Sequence, residues 1–262
     1  RRKLHKLYAV IGVGLVGFGS TALAAPLDTT PSYIVNKAAG PIIADGDLSD
    51  WAGADTLINP EFSLPEESTP LGDRVTHEAY GTGVWDGLAD HSATIMALYD
   101  DDSIYLAFVV TDDYHENAAN SAWNGDTAQL MIANGARDAQ VALYNYALGG
   151  IEGALGGIIV NHEVRPAGAP DTTAGVTRSG TTTTYEICIP KAAAGLADLV
   201  EGTEFGFAVS INDGDEATPG QSGWSGLNPG ALVRGKNPDL TRLFTVRETT
   251  ADNATAEFIP GP

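Results

Sequence analysis

Histidine beside a carboxylate can move protons or hold a metal, and the chain has three such pairs: His77-Glu78, His115-Glu116 and His162-Glu163. A zinc-protease helix needs a second histidine four residues after the first, so that both face one ion. Those positions hold Gly81, Ala119 and Pro166. A hydrolase elbow needs Gly-x-Ser-x-Gly, and Gly220-Gln221-Ser222-Gly223-Trp224 fails at its last residue. No Walker loop is present. Gly12-x-Gly14-x-x-Gly17 has dinucleotide spacing, but it sits in an apolar run that ends in small residues and Pro26. A βαβ unit cannot be built there. Among 34 Asp and Glu, no glycosidase acid/base pair stands out. No catalytic residue is assigned.

Carboxylates cluster where strands should end. Asp100, Asp101 and Asp102 form one turn, Asp112 and Asp113 follow the next strand, and Asn212-Asp213-Gly214-Asp215-Glu216 follows another. Calcium takes six to eight oxygens from such loops, although Asp and Gly also favour turns unaided. The expectation is Ca2+, with Asp101, Asp102, Asp112, Asp126, Asp213 and Asp215 as candidate ligands. The stretch starting at Asp45 is no EF-hand, since its sixth and twelfth positions are Asp50 and Thr56. His77, His91, His115 and His162 are scattered in polar segments and read as exposed or turn-bonded. The lone Cys188 excludes an internal disulfide and a cysteine zinc site. Its neighbours Ile187 and Ile189 make it a buried, inert thiol.

The tryptophans say more. Trp51, in Asp50-Trp51 after an apolar start, reads as a core anchor. Trp85 lies in a Gly-rich loop and fits either core or surface. Trp123, in Ala122-Trp123-Asn124-Gly125-Asp126, and Trp224, in Gly223-Trp224-Ser225-Gly226, are flanked by small and polar residues. A ring presented there can stack on the apolar face of a sugar while amides and carboxylates bond its hydroxyls. Ordinary loop packing is the alternative.

These residues must be carried by strands. Residues 92–99 alternate, with Ile95, Ala97 and Tyr99 on one face and Thr94, Met96 and Leu98 on the other. The aspartate turn and residues 104–110 complete a hairpin. Residues 127–133, 140–148, 157–164, 176–179, 181–189, 205–212 and 243–247 read as further strands, and Ala-rich 191–200 as one short helix after Pro190. With 31 Gly and 14 Pro in 262 residues, short strands and turns are favoured. The expected fold is all-β, an antiparallel β-sandwich or jelly roll. Residues 1–24 have the basic start, apolar run and Ala22-Leu23-Ala24 end of a secretory signal peptide. Residues 25–32 then form a linker, 33–247 one domain and 248–262 a polar tail. A net charge of −20 argues against nucleic-acid backbones and anionic lipid. The expected product is a secreted, periplasmic or extracellular monomer, off the membrane once the signal is cleaved.

Five landmarks in order resemble the family 9 carbohydrate-binding modules. They are Ile43-Ala44-Asp45-Gly46 with Asp50-Trp51; Asp101-Asp102-Ser103-Ile104-Tyr105-Leu106 through Asp112; Trp123-Asn124-Gly125-Asp126-Thr127-Ala128-Gln129-Leu130; Tyr185-Glu186-Ile187-Cys188-Ile189-Pro190; and Phe205-Gly206-Phe207 through Asp213, Asp215 and Trp224-Ser225. The resemblance implies a β-sandwich, usually with structural calcium, that binds glycans without cleaving them. It places Trp123 and Trp224 where two tryptophans clamp a sugar, exposed on one cleft. Gln129 stands where the family has Glu, and Asn145 is the polar contact left on a strand without the family's Arg. Two other readings stay open. One is a haem-binding electron-transfer subunit of similar fold, which would draw on Met96 or Met131 for an axial ligand. The other is a glycoside hydrolase or an accessory to polysaccharide degradation.

Overall fold

The computed structural model describes residues 33–52, 54, 56–58, 77–81, 83–119, 122–216, 220–228, 230–233 and 235–248. The expected signal peptide, the linker and all of the tail past Glu248 lie outside them. Fourteen strands appear: β1 (Tyr33–Lys37), β2 (Thr56–Ile58), β3 (Glu78–Ala79), β4 (His91–Tyr99), β5 (Ser103–Asp112), β6 (Glu116–Asn117), β7 (Thr127–Ala133), β8 (Gln140–Ile151), β9 (Ala154–Val164), β10 (Thr173–Ser179), β11 (Thr182–Pro190), β12 (Glu204–Asp213), β13 (Gly223–Leu227) and β14 (Arg242–Arg247).

They form one ladder in the order β10-β11-β5-β4-β1-β14-β12-β7-β8-β6, with β9 on β8 and β13 on β12. β1 runs parallel to both β4 and β14 and joins two otherwise antiparallel limbs. The ladder curls so that the limbs pack face to face. Ile95, Leu106, Phe108 and Ile187 from one limb share a buried cluster with Leu130, Tyr144, Phe207 and Phe244 from the other. The alternation in 92–99 is the cause. Ile95, Ala97 and Tyr99 face this core, while Leu98 and Met96 face outward into a second cluster.

Each limb's outward face is covered by a non-strand segment. On one limb Ile42 and Trp51 close over Leu98, Tyr105 and Ala107. On the other, Ala231 and Leu232 of a one-turn helix, α1 (Gly230–Val233), close over Met131, Leu143 and Ala208. Burying an indole such as Trp51 is worth roughly 4–6 kcal/mol of transfer free energy.

Among the described residues the α-helical turn is therefore at 230–233, not at 191–200. After Pro190 the chain makes hydrogen-bonded turns, Ala194 N–H to Pro190 O at 3.0 Å and Leu196 N–H to Lys191 O at 2.8 Å. Gly195 then adopts φ +70°, a left-handed conformation that ends any helix the alanines favour.

Candidate functional site

The second limb's outward face carries a polar row built by register. Gln129 on β7 lies opposite Asn145 on β8 and Ser210 on β12, and Asn212 lies opposite Trp224 on β13. Cross-strand partners share a face. Their chain neighbours Leu130, Tyr144 and Ile211 point into the core, so this row points out. Glu163 on β9 accepts from Asn145 Nδ2 at 2.7 Å and from Gln129 Nε2 at 3.3 Å. Lys236 Nζ donates to Gln129 Oε1 at 3.2 Å, and burial pulls this lysine below its usual range. Ser210 Oγ donates to Asn212 Oδ1 at 2.6 Å, and Asn212 Nδ2 donates to the Trp123 carbonyl at 2.9 Å. The last bond fastens the Trp123 loop to the sheet.

The structure thus brings Trp123, Gln129, Asn145 and Trp224 onto one limb's outward side. The two rings differ from the expected exposed pair. Trp123 is 50 % exposed, whereas Trp224 is 7 % exposed. Trp224 belongs to a strand rather than a loop, and Tyr80 covers it with ring centroids 5.7 Å apart. Tyr80 is seated by its N–H bond to Ser222 O at 2.7 Å and takes the exposed place, at 58 %. Two polar atoms of this region are buried without a hydrogen-bond partner, Asn145 Oδ1 and Trp224 Nε1.

A carboxylate–histidine layer lies at the end of β5 and β12. Asp213 sits between two histidines, with His77 Nε2 2.9 Å from Oδ2 and His91 Nδ1 3.2 Å from Oδ1. His91 Nε2 meets Ser225 Oγ at 2.7 Å. Burial works against a charged Asp213, but His91 and His77 outweigh it and hold the carboxyl below its ordinary range. Burial likewise opposes a charged His91, and Asp213 overcomes it and raises that pKa. Asp112 is pushed up to about 9, by burial and then by Asp126, despite Arg178 Nη1 at 3.2 Å. Asp126 is raised by burial and Asp213, although it accepts backbone N–H groups from Glu116 at 2.6 Å and Gly214 at 2.8 Å. His77, His91 and His115 are all buried, which corrects their reading as exposed or turn-bonded. Residues distant in sequence converge here, and no spacing rule announces that.

The six expected metal ligands separate. Asp101 and Asp102 lie on an exposed turn beside Lys37 and Lys191, at the opposite end of β5 from Asp112, ~30 Å away at about 3.3 Å per residue. They join no group with the other four. Asp213 is committed to its histidines. Asp215 groups with Asp90 and Asp113, one oxygen from each lying within 4.8 Å of the others. That all-oxygen set lines a cavity of about 760 Å³ with Tyr80 and Tyr114, and it fits the donor chemistry of calcium. Asp215 is pushed up to about 6 by burial, then by Asp213 and Asp90. Asp112 and Asp126 group instead with His115.

Other residues take packing roles. Trp51 is buried, and its indole N–H donates to Glu186 Oε1 at 2.7 Å. Trp85 is half-buried, with its ring N–H on His91 O at 2.9 Å. Met131 is buried beside α1, and Met96 packs in the Trp51 cluster. Cys188 is half-buried, and burial raises its thiol pKa.

Residues 72–231 match a family model described as carbohydrate family 9 binding domain-like. No curated protein sequence matches the chain significantly. Among solved structures, a family 9 carbohydrate-binding module from Caldicellulosiruptor kristjanssonii in complex with cellotriose superposes with a TM-score of 0.57 at 16 % identity, over 87 % of this chain and all of that one. A module of the same family and organism in complex with glucose gives 0.56 at 15 % identity, covering 84 % of this chain and 98 % of that one. At such identities the likeness is one of fold, and the shared fold is the β-sandwich.

Proposed function

We propose that this chain, which belongs to the carbohydrate family 9 binding domain-like family, binds a glycan on the outward face that carries Trp123, Gln129, Asn145 and Trp224. The family binds carbohydrate without cleaving it, and the chain is a binding protein, not an enzyme. The observation that carries this reading is the pair of buried polar atoms without partners, Asn145 Oδ1 and Trp224 Nε1, beside a half-exposed indole. A buried donor or acceptor left unpaired costs about 1–3 kcal/mol. Sugar hydroxyls, each both donor and acceptor, can pair with such atoms along an extended glycan that lies on Trp123.

Trp123 is the stacking plane in this reading. Gln129, Asn145, Glu163 and Lys236 form the polar wall, and the Tyr80–Trp224 pair makes the second aromatic element. Calcium at Asp90, Asp113 and Asp215 stiffens the loops around the cavity. The signal-like residues 1–24 support secretion, with action on polysaccharide outside the cytoplasm as a binding accessory. The ligands of the two superposed modules, glucose and cellotriose, are the first to try.

Calorimetric titration of the calcium-loaded protein with glucose and cello-oligosaccharides, then with other soluble glycans, tests it. Saturable binding that Trp123→Ala weakens supports the reading. Binding unaffected by Trp123→Ala and Asn145→Ala moves the site elsewhere, and no binding to any glycan ends it.

A further inference from the structure

His115 follows Asp112 by three residues and is fully buried. Its Nε2 lies 2.8 Å from the carbonyl oxygen of Leu148. A carbonyl can only accept, so Nε2 carries the ring proton and Nδ1 is left with a lone pair. That lone pair lies in the buried layer. Nδ1 is 3.1 Å from Asp126 Oδ2 yet makes no aligned hydrogen bond to anything. One atom each from Asp112, His115 and Asp126 lies within 4.8 Å of the other two. The Nδ1 lone pair and the two carboxylates therefore face one another across a space that a proton or a cation must fill. Burial also favours the neutral imidazole.

Arg178 meets Asp112 from one side, and His115 Nδ1 keeps its lone pair without a hydrogen-bond partner. Holding one imidazole N–H on a backbone carbonyl is how proteins orient a metal-ligating histidine. One nitrogen and two carboxylates suit zinc and its first-row neighbours. Calcium prefers oxygen alone, as at Asp90, Asp113 and Asp215. Asp112 keeps Tyr114 N–H and Arg178 as further partners, and Asp126 keeps the two backbone donors described above. Each carboxylate oxygen has a second lone pair to offer.

We infer that Asp112, His115 Nδ1 and Asp126 form a buried site for a zinc-like transition dication, distinct from the calcium-type group and independent of the glycan-binding reading. The ion ties the end of β5 to Asp126 at the start of β7, and so anchors the loop three residues after Trp123.

The test strips the full chain with EDTA, reloads separate samples with Zn2+, Ca2+ or Co2+, dialyses them, and measures bound metal and melting temperature. The expected result is one retained zinc per chain and a rise in melting temperature of at least ~5 °C. His115→Gln should abolish the zinc effect and leave the calcium effect intact, while Asp215→Asn should do the reverse. Co2+ in the unmutated protein should give visible d–d absorption, which keeps the inference testable if His115→Gln does not fold. No retained zinc together with no cobalt spectrum overturns it, as does zinc retained equally by a folded His115→Gln.

Discussion

The two outward faces of the sandwich each bury a tryptophan, Trp51 within a covering segment and Trp224 under Tyr80, and they treat the indole N–H in opposite ways. Trp51 donates to Glu186 Oε1 at 2.7 Å, while Glu186 Oε2 takes the backbone N–H groups of Asp45 at 3.0 Å and Gly46 at 2.9 Å. Gly175 makes this approach possible, because a Cβ there would lie 2.1 Å from the carbonyl carbon of Asp45. These three donors all reach the buried carboxylate. Trp224 has no such partner, nor does the Oδ1 of Asn145 on the same face. On the Trp51 face the protein itself pairs the indole N–H. On the other face the indole N–H is left for the proposed glycan.

The comparison breaks most visibly at Trp51→Ala. Removing a buried indole should cost about 3–5 kcal/mol in denaturant unfolding, while the folded fraction keeps its glycan affinity unchanged. Conservative variants sharpen the contrast. Trp51→Phe strips Glu186 of a donor and should lose about 1–3 kcal/mol. Trp224→Phe removes an N–H that had no partner, so it should lose less than half as much, yet weaken glycan binding in calorimetry. Equal stability losses would sink the idea that the faces differ. Trp123→Ala should leave stability within about 0.5 kcal/mol, as an exposed position does. Its glycan affinity should fall at least ~10-fold, or about 1.4 kcal/mol.

A further effect is with pH, in metal-free protein. Asp112 is pushed up to about 9, and it faces Asp126, Asp213, Arg178 and His91. Between the unfolded value near 3.9 and that value, the folded protein holds a proton that the unfolded chain has lost. Stability must therefore fall as pH rises through this window. Asp215, pushed up to about 6, acts in the same direction over a narrower range. His91, raised, also contributes stability that is lost as pH climbs above its folded value. Melting curves at pH 5 and pH 8 should show the lower melting temperature at pH 8, and the opposite order would refute the protonated layer.

The long strands were legible because strict alternation and turn residues mark them. The β4–β5 hairpin around the aspartate turn matches its reading to within two residues at each end. β1, β2, β3, β6 and β13 were not read, being two to five residues long and held by neighbours rather than by pattern. The alanines of 191–200 promise a helix by propensity, but Gly195 and the packing around it impose turns. The site was half legible. Sequence order suggested Trp123, Gln129, Asn145 and Trp224; register brings the last three to one face, and the Asn212 bond fastens the Trp123 loop beside them. That Tyr80 would cover Trp224 and take its exposure depends on where β3 docks. The histidine layer was invisible because 77, 91, 115 and 213 meet only in three dimensions.

β1 is the first described strand, and one of its two neighbours is β14, the last. Four register pairs, Tyr33 to Phe244 through Asn36 to Arg247, close the seam between the limbs. A chain made from its N-terminus must hold β1 without this partner until residue 247 is available, with more than 200 residues in between. Such long-range closure is slow and leaves strand edges open meanwhile. The sandwich therefore completes as a late, whole-chain event.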